Sequence, residues 1–157
     1  MVKEHEQHRD AEVIVLLDLC SSADFPETLQ ERAISLAATI CAEQTRHTSS
    51  GRYRLMIAGK NLHNIECSGS SRFCEQALRE LALCESSARS QLASMLLAVC
   101  QSPLDPNSRF VLITPRPETA RLLADSIAQE NLKHEQLFIG RLVILAADDP
   151  TLDTLMA

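Results

Sequence analysis

Glu12-Val-Ile-Val-Leu-Leu-Asp-Leu-Cys-Ser-Ser22 is the stretch of sequence on which the rest of the chain depends. Its middle, Val13 to Leu17, is an unbroken aliphatic run that stops at Asp18. Such a run predicts a strand buried on both faces, as in a parallel sheet. Because open α/β sheets bind ligands outside the carboxyl ends of their strands, we expect Asp18 to Ser22 at the functional edge. The simpler alternative is that Asp18 caps the turn and the serines only face solvent.

The composition is that of a single globular domain with an aliphatic core. The chain has 157 residues, of which 45% are hydrophobic and only 3% aromatic. A chain of this length should bury roughly 68–70% of its unfolded surface. The net charge is −6 and no basic run exceeds two residues, which argues against nucleic acid, because phosphate binding needs clustered Lys and Arg. No apolar segment reaches the roughly 18 residues that span a bilayer.

Six cysteines are spread along the chain without any C-x-x-C spacing. Most fall in predicted strands or helices, as expected of small buried hydrophobic residues, and we predict that all are reduced thiols. The first ten residues show no secretion-signal pattern, so a reducing, cytoplasmic setting is expected. Residues 1–11 are predicted to be a polar arm, and residues 12–157 a single domain.

Strands and helices alternate along the predicted domain. Further strands are predicted at Tyr53–Ala58, Leu62–Cys67, Arg109–Thr114 and Leu142–Ala147. Helices are predicted from about Asp24 to Arg46, Arg72 to Cys84, Arg89 to Cys100, Pro117 to about Asn131, and Asp149 to Met156. This order predicts a mainly parallel sheet with helices on both faces. Val13–Leu17 and Phe110–Ile113 should be adjacent central strands, and Leu62–Cys67 an antiparallel edge strand.

Several catalytic motifs are nearly present but incomplete. Cys67-Ser-Gly-Ser-Ser-Arg72 has four residues between Cys and Arg, whereas the phosphatase loop that it resembles has five. Gly59-Lys60 lacks the earlier glycine of a phosphate-binding P-loop, because Arg54 stands there. Neither G-x-G-x-x-G nor the nucleophile elbow G-x-S-x-G occurs in the chain.

One motif is retained at the end of the first strand. Asp18-Leu-Cys-Ser-Ser22 has the D-x-S-x-S spacing of the metal-ion-dependent adhesion site of von Willebrand factor type A domains. With the segments that follow it, the chain resembles the C-terminal, von Willebrand A-like half of a bacterial family called domain of unknown function fifty-eight. The supporting segments are Val13–Leu19, Arg32–Ile40, Leu55–Gly59, Leu78–Leu83 and Phe110–Pro117, in that order.

The resemblance implies a doubly wound α/β domain with strand order 3-2-1-4-5-6 that acts as a non-catalytic protein-interaction module. Relatives of this kind usually have further sequence before the domain, often with membrane segments, and are often found beside MoxR-type AAA ATPases. The chain is therefore expected to be the C-terminal part of a longer protein, whose membrane segments would anchor it. Such an ATPase or other domains of the same protein are the expected partners.

In such domains hydroxyls and a Thr bind Mg²⁺ directly, which would assign Asp18, Ser22, Thr114 and a loop hydroxyl from Ser70 or Ser71 to the site. This chain departs from the pattern at two positions. Cys20 replaces the first serine, and a soft thiol is a poor Mg²⁺ ligand. Pro115 follows Thr114 where a carboxylate is common.

We therefore predict a degenerate metal site without a Mg²⁺ cofactor. The carboxylate of Asp18 must then be satisfied by backbone N–H groups of residues 20–22 or by the hydroxyls of Ser21, Ser22 or Thr114. The binding surface would comprise Asp18, Cys20, Ser22, Ser70, Ser71 and Thr114. A different class of function stays open: a small-molecule enzyme in which Cys20 is the nucleophile and Asp18 assists it.

Overall fold

The computed structural model describes residues 12–21, 25–47, 52–102, 108–130 and 141–152. Its strands are β1 Val13–Asp18, β2 Tyr53–Ala58, β3 Leu62–Cys67, β4 Arg109–Thr114 and β5 Leu142–Ala146. Its helices are α1 Glu27–His47, α2 Ser70–Leu83, α3 Leu92–Gln101 and α4 Pro117–Glu130, with a 3₁₀ turn at Pro150–Leu152. No helix in the described ranges is long and apolar enough to cross a membrane.

The described strands form one sheet in the order β3-β2-β1-β4-β5. β1 pairs in parallel with β2 on one side and with β4 on the other, and β5 continues the parallel pairing beyond β4. β3 pairs antiparallel with β2, so that Leu62 lies beside Ala58 and Cys67 lies beside Tyr53. The predicted adjacency of β1 and β4 and the antiparallel edge strand are both confirmed.

Each face of the sheet is covered by two helices. Side chains of β1 alternate between the faces, because successive residues of a strand point to opposite sides: Val15 and Leu17 pack in one core, Ile14 and Leu16 in the other. The first core contains α1 and α2, and the second contains α3 and α4. The helix α1 contacts both the sheet and α2, which explains the broad apolar stripe that its sequence shows.

The predicted element boundaries agree with the structure to within about three residues. The largest differences are at the start of α3, predicted at Arg89 and found at Leu92, and at the start of α1, predicted at about Asp24 and found at Glu27. The predicted order contains a sixth strand, and the described ranges contain none beyond β5. The predicted arm at residues 1–11 and the end of the terminal helix lie outside the described residues.

The late start of α3 follows from the path of residues 84–91, which we call the crossover loop. This loop leads from α2 on one face to α3 on the other, over the carboxyl ends of β1 and β2. The backbone of Ser87 makes hydrogen bonds with Leu19 and Ser21, and the N–H of Lys60 donates to the carbonyl of Glu85 at 2.8 Å. The side-chain amide of Gln91 donates to the carbonyl of Gly59 at 2.8 Å. The loop is thus fixed to the sheet by hydrogen bonds.

The close approach of this loop generates a prediction about Gly59. A Cβ atom at this position would collide with the carbonyl oxygen of Glu85, whereas a Cβ at Gly69 would meet no atom within 4 Å. Overpacking against backbone costs about 1–3 kcal/mol, so Gly59→Ala should lower the free energy of unfolding by about that much. Urea denaturation measures the change. Gly69→Ala is the matched control, and an equal loss in both variants would contradict the described loop path.

Candidate functional site

Asp18 is the last residue of β1 and is completely buried. The sheet order reverses direction at this strand, since β2 and β3 lie on one side and β4 and β5 on the other. In sheets of this kind, ligands bind in the crevice outside the carboxyl ends of the strands at that point. The parallel register pairs Leu17 with Ile113, so Asp18 and Thr114 end neighbouring strands side by side.

The carboxylate of Asp18 is held by two side chains from the end of β4. The hydroxyl of Thr114 donates to Oδ2 at 2.8 Å. The Nη2 group of Arg116 donates to the same oxygen at 3.1 Å and lies 3.5 Å from Oδ1. A buried carboxylate is stable only when such partners compensate the loss of its hydration. The guanidinium of Arg116 therefore provides the positive charge that Asp18 requires.

Arg116 also connects the ion pair to the crossover loop. Its Nη2 group donates to the hydroxyl of Ser90 at 2.8 Å. Its backbone N–H donates to Thr114 Oγ1 at 3.0 Å, and its carbonyl accepts the N–H of Ala120 at 3.0 Å in the first turn of α4. The side chain of Arg116 is 20% exposed, so the guanidinium lies between the buried carboxylate and the solvent.

The structure brings Thr114 to Asp18, as the sequence predicted, but it uses the loop after β1 differently. The backbone N–H of Ser21 donates to the carbonyl of Ser87 at 2.8 Å and not to Asp18. Cys20 forms a parallel bridge with Ser87, and its Sγ lies 3.8 Å from the carbonyl oxygen of Ala88. Ser22 lies outside the described residues.

Ser70 and Ser71 were predicted to supply the loop hydroxyl, and the structure places them elsewhere. Because β3 runs antiparallel to β2, its last residue Cys67 lies beside Tyr53, which begins β2. Ser70 then starts α2 from this amino edge of the sheet, whereas Asp18 lies at the carboxyl edge beside Ala58. The two serines are therefore separated from Asp18 by the length of the strands.

Two residues of the site, Arg116 and Ser90, were not predicted from the sequence. The signal for Arg116 was its position in Thr114-Pro-Arg-Pro117, directly after a buried strand, where a charged side chain is brought to the functional edge. The signal for Ser90 was its place between two helices, in a loop that must cross from one face to the other. Ser90 is the loop hydroxyl that the structure brings to the site.

The side chains that the structure describes around Asp18 do not fit a Mg²⁺ ion. Both carboxylate oxygens face the guanidinium of Arg116, and the hydroxyl of Thr114 already donates to Asp18 and accepts from Arg116. A dication about 4 Å from this guanidinium would be repelled by roughly 8 kcal/mol, twice the value for two unit charges at an effective dielectric constant of 20. Cys20, which is described within the motif, offers only a soft sulfur.

A polar groove of about 400 Å³ lies beside the β2–β3 hairpin, and its lining includes His63, Glu80, Cys84 and Glu85. His63 lies 3.6 Å from Glu80, and both side chains are more than one-third exposed. The thiol of Cys84 donates to the carbonyl of Leu81 at 3.1 Å, and burial raises its pKa. Because the thiolate is the reactive form, this cysteine is a poor nucleophile at neutral pH.

Comparison with known proteins does not assign the chain to a family. No protein-family model matches the sequence, and no curated protein matches it.

The buried ion pair predicts the effect of removing Asp18. Asp18→Ala leaves the charge of Arg116 uncompensated, and breaking a buried pair costs about 3–5 kcal/mol. Because Arg116 is partly exposed, we expect a loss near the lower end of that range in the free energy of unfolding, measured by urea denaturation. Asp125→Ala, at an exposed position of α4, is the control and should change stability by less than about 0.5 kcal/mol. A similarly small effect at Asp18 would contradict the ion pair.

Proposed function

We propose that this chain is a protein-interaction module of the von Willebrand A-like type found in the domain of unknown function fifty-eight family. The observation that carries the proposal is the contact of Asp18 with Thr114 and Arg116 across the ends of β1 and β4. The D-x-S-x-S spacing begins at this carboxylate, at the point where ligands bind in such sheets. The sheet order agrees with the first five positions of the order that the resemblance implies.

The binding surface is the carboxyl edge of the sheet together with the crossover loop. Arg89 and Ser90 are exposed there, and Lys60 is exposed at the end of the neighbouring strand. Lys60 is paired with Glu85 at 3.2 Å, whereas Arg89 gives the loop a positive charge in a chain of net charge −6. Complementary charge increases the rate and specificity of association. We therefore propose a partner that presents an acidic side chain to Arg89.

The burial of the motif residues favours this module over an enzyme that uses Cys20 and Asp18. Cys20 is only 6% exposed, and its sulfur faces the carbonyl of Ala88. Asp18 is fully buried and occupied by Arg116. A nucleophile and its base must reach each other and the substrate, and here each side chain is engaged in another contact.

The resemblance also supplies candidates for the partner. A MoxR-type AAA ATPase, or other domains of the same parent protein, would bind this edge in the cytoplasm. The ATPase is testable as a purified component, because the domain can be immobilised and the ATPase titrated over it.

A pair of charge reversals tests which edge of the sheet binds the partner. Arg89→Glu reverses an exposed charge at the carboxyl edge, and Arg109→Glu reverses an exposed charge at the amino edge, where β4 begins. We expect Arg89→Glu to weaken binding of the ATPase by about tenfold or more, and Arg109→Glu to leave it unchanged, as measured by biolayer interferometry.

Equal loss of binding in both variants would show that only net charge matters. Loss in Arg109→Glu alone would move the interface to the opposite edge. Either result would contradict the proposed surface.

Thiol labelling separates the module from the enzyme. Iodoacetamide should modify native Cys20 at least about tenfold more slowly than the partly exposed Cys74 near neutral pH, because Cys20 is buried. Cys41 is an internal reference for a protected thiol, since burial raises its pKa to about 12. Labelling at each position is followed by mass spectrometry. Labelling of Cys20 faster than Cys74 would favour the enzyme.

A further inference from the structure

We propose that the guanidinium of Arg116 is a permanent, covalently tethered cation that replaces the metal ion in this site. The inference rests on the proposed A-type site for the position of the ion, and it adds a statement about regulation: the edge is assembled without Mg²⁺. The described side chains at Asp18 form a salt bridge and leave no free oxygen ligands for a metal ion.

The Nη2 atom of Arg116 occupies the position of a bridging cation. It lies 3.1 Å and 3.5 Å from the two oxygens of Asp18. It also contacts Ser90 Oγ at 2.8 Å. This single nitrogen therefore joins the carboxylate at the end of β1 to a hydroxyl of the crossover loop. The metal ion of an adhesion site likewise connects a carboxylate with a loop hydroxyl.

The backbone of Arg116 is held in place from both sides. Arg116 lies between Pro115 and Pro117, and these two rings restrict the backbone on both sides of it. Its own N–H and carbonyl are bound to Thr114 and Ala120. The backbone is thus fixed before the side chain is placed. Preorganisation of this kind reduces the entropy that is lost when the ion pair forms.

The hydroxyl of Thr114 binds both members of the ion pair. It donates to Asp18 at 2.8 Å and accepts the N–H of Arg116 at 3.0 Å. The residue that would be a metal ligand in the resembling family therefore serves the ion pair from both sides. A metal ion would have to displace Arg116 and break these bonds before it could reach the carboxylate.

The Nε group of Arg116 is buried and has no hydrogen-bond partner within the described residues. An unsatisfied buried donor is unfavourable. The guanidinium nevertheless lies at Asp18, so its charge and its Nη2 contacts, and not complete hydrogen bonding, account for its position. A cation that lacks the Nε donor, such as the ammonium group of lysine, should therefore also be able to pair with Asp18.

The wild-type domain gives the first test. If Arg116 is the resident cation, the melting temperature should be the same, within about 1 °C, in EDTA and in about 10 mM MgCl₂, because a ligand stabilises only the state that it binds. A rise of more than about 2 °C with Mg²⁺ would overturn the proposal. The measurement needs no partner, so it can fail while the protein-binding proposal stands, and the reverse also holds.

Chemical rescue gives the second test. Arg116→Ala removes the guanidinium and leaves Asp18 with an unoccupied space beside it. Added methylguanidinium at several times its dissociation constant should then raise the melting temperature of Arg116→Ala by about 2–4 °C. The same addition should not raise that of the wild type, nor that of the double variant Asp18→Asn/Arg116→Ala, which has no carboxylate to bind it.

Arg54→Ala is the matched control for loss of a buried arginine. Arg54 is 5% exposed and donates to Asn64 and Ser102 at a distance from the carboxyl edge. Rescue that is equal in Arg54→Ala or in the double variant would be a general solvent effect and would overturn the proposal. Absence of any rescue in a folded Arg116→Ala protein would overturn it as well.

Arg116→Lys keeps the test decisive if Arg116→Ala does not fold. Lysine keeps the positive charge, lacks the Nε donor and has a single nitrogen. This variant should melt below the wild type but should remain indifferent to Mg²⁺. A Mg²⁺-dependent rise in Arg116→Lys would mean that the site accepts a metal beside a resident charge, which contradicts a tethered replacement.

Discussion

The buried charge of Asp18 is the constraint that the carboxyl edge of this domain satisfies. A carboxylate with no exposed surface is unstable unless a cation and hydrogen-bond donors compensate its lost hydration. Thr114 and Arg116 meet this need from the end of β4, so the ion pair holds the ends of two parallel strands together. Through Ser90 it also holds the crossover loop, and this loop is bonded to β1 and β2. One ion pair therefore connects the sheet, the crossover loop and the start of α4.

Most of the fold was predictable because hydrophobic patterning indicates its strands and helices. Fully aliphatic runs such as Val13–Leu17 indicate strands covered on both faces, and the alternating Leu62–Cys67 segment indicates an edge strand. Position in the chain then limits the topology, since crossovers between parallel strands must carry helices. The start of α3 was predicted three residues too early, because Arg89 to Gln91 have helical patterning locally but serve the crossover loop. Tertiary hydrogen bonds such as that of Gln91 decide this boundary.

The site was only partly predictable, for two physical reasons. Asp18 and Thr114 end parallel neighbours, so their contact follows from the topology. Ser70 follows the antiparallel strand β3, and an antiparallel strand delivers the next loop to the opposite edge; the predicted sheet already contained this information. Arg116 was missed for a different reason. A search for oxygen ligands assumes that the cation is a metal ion from solution, and it therefore ignores arginine. An ion pair between residues that are 98 positions apart also leaves no local pattern in a single sequence.

The identity of the cation determines how such a site can be controlled. A metal site can be filled or emptied, and its affinity for a partner then follows the concentration of the ion. A guanidinium on the chain has no such equilibrium, because it is present whenever the domain is folded. On this proposal, the edge formed by Asp18, Arg116 and Ser90 keeps its cation whatever the concentration of Mg²⁺. If the domain is the proposed interaction module, regulation of its binding would act on the partner or on accessibility of the edge, because the cation itself cannot be removed.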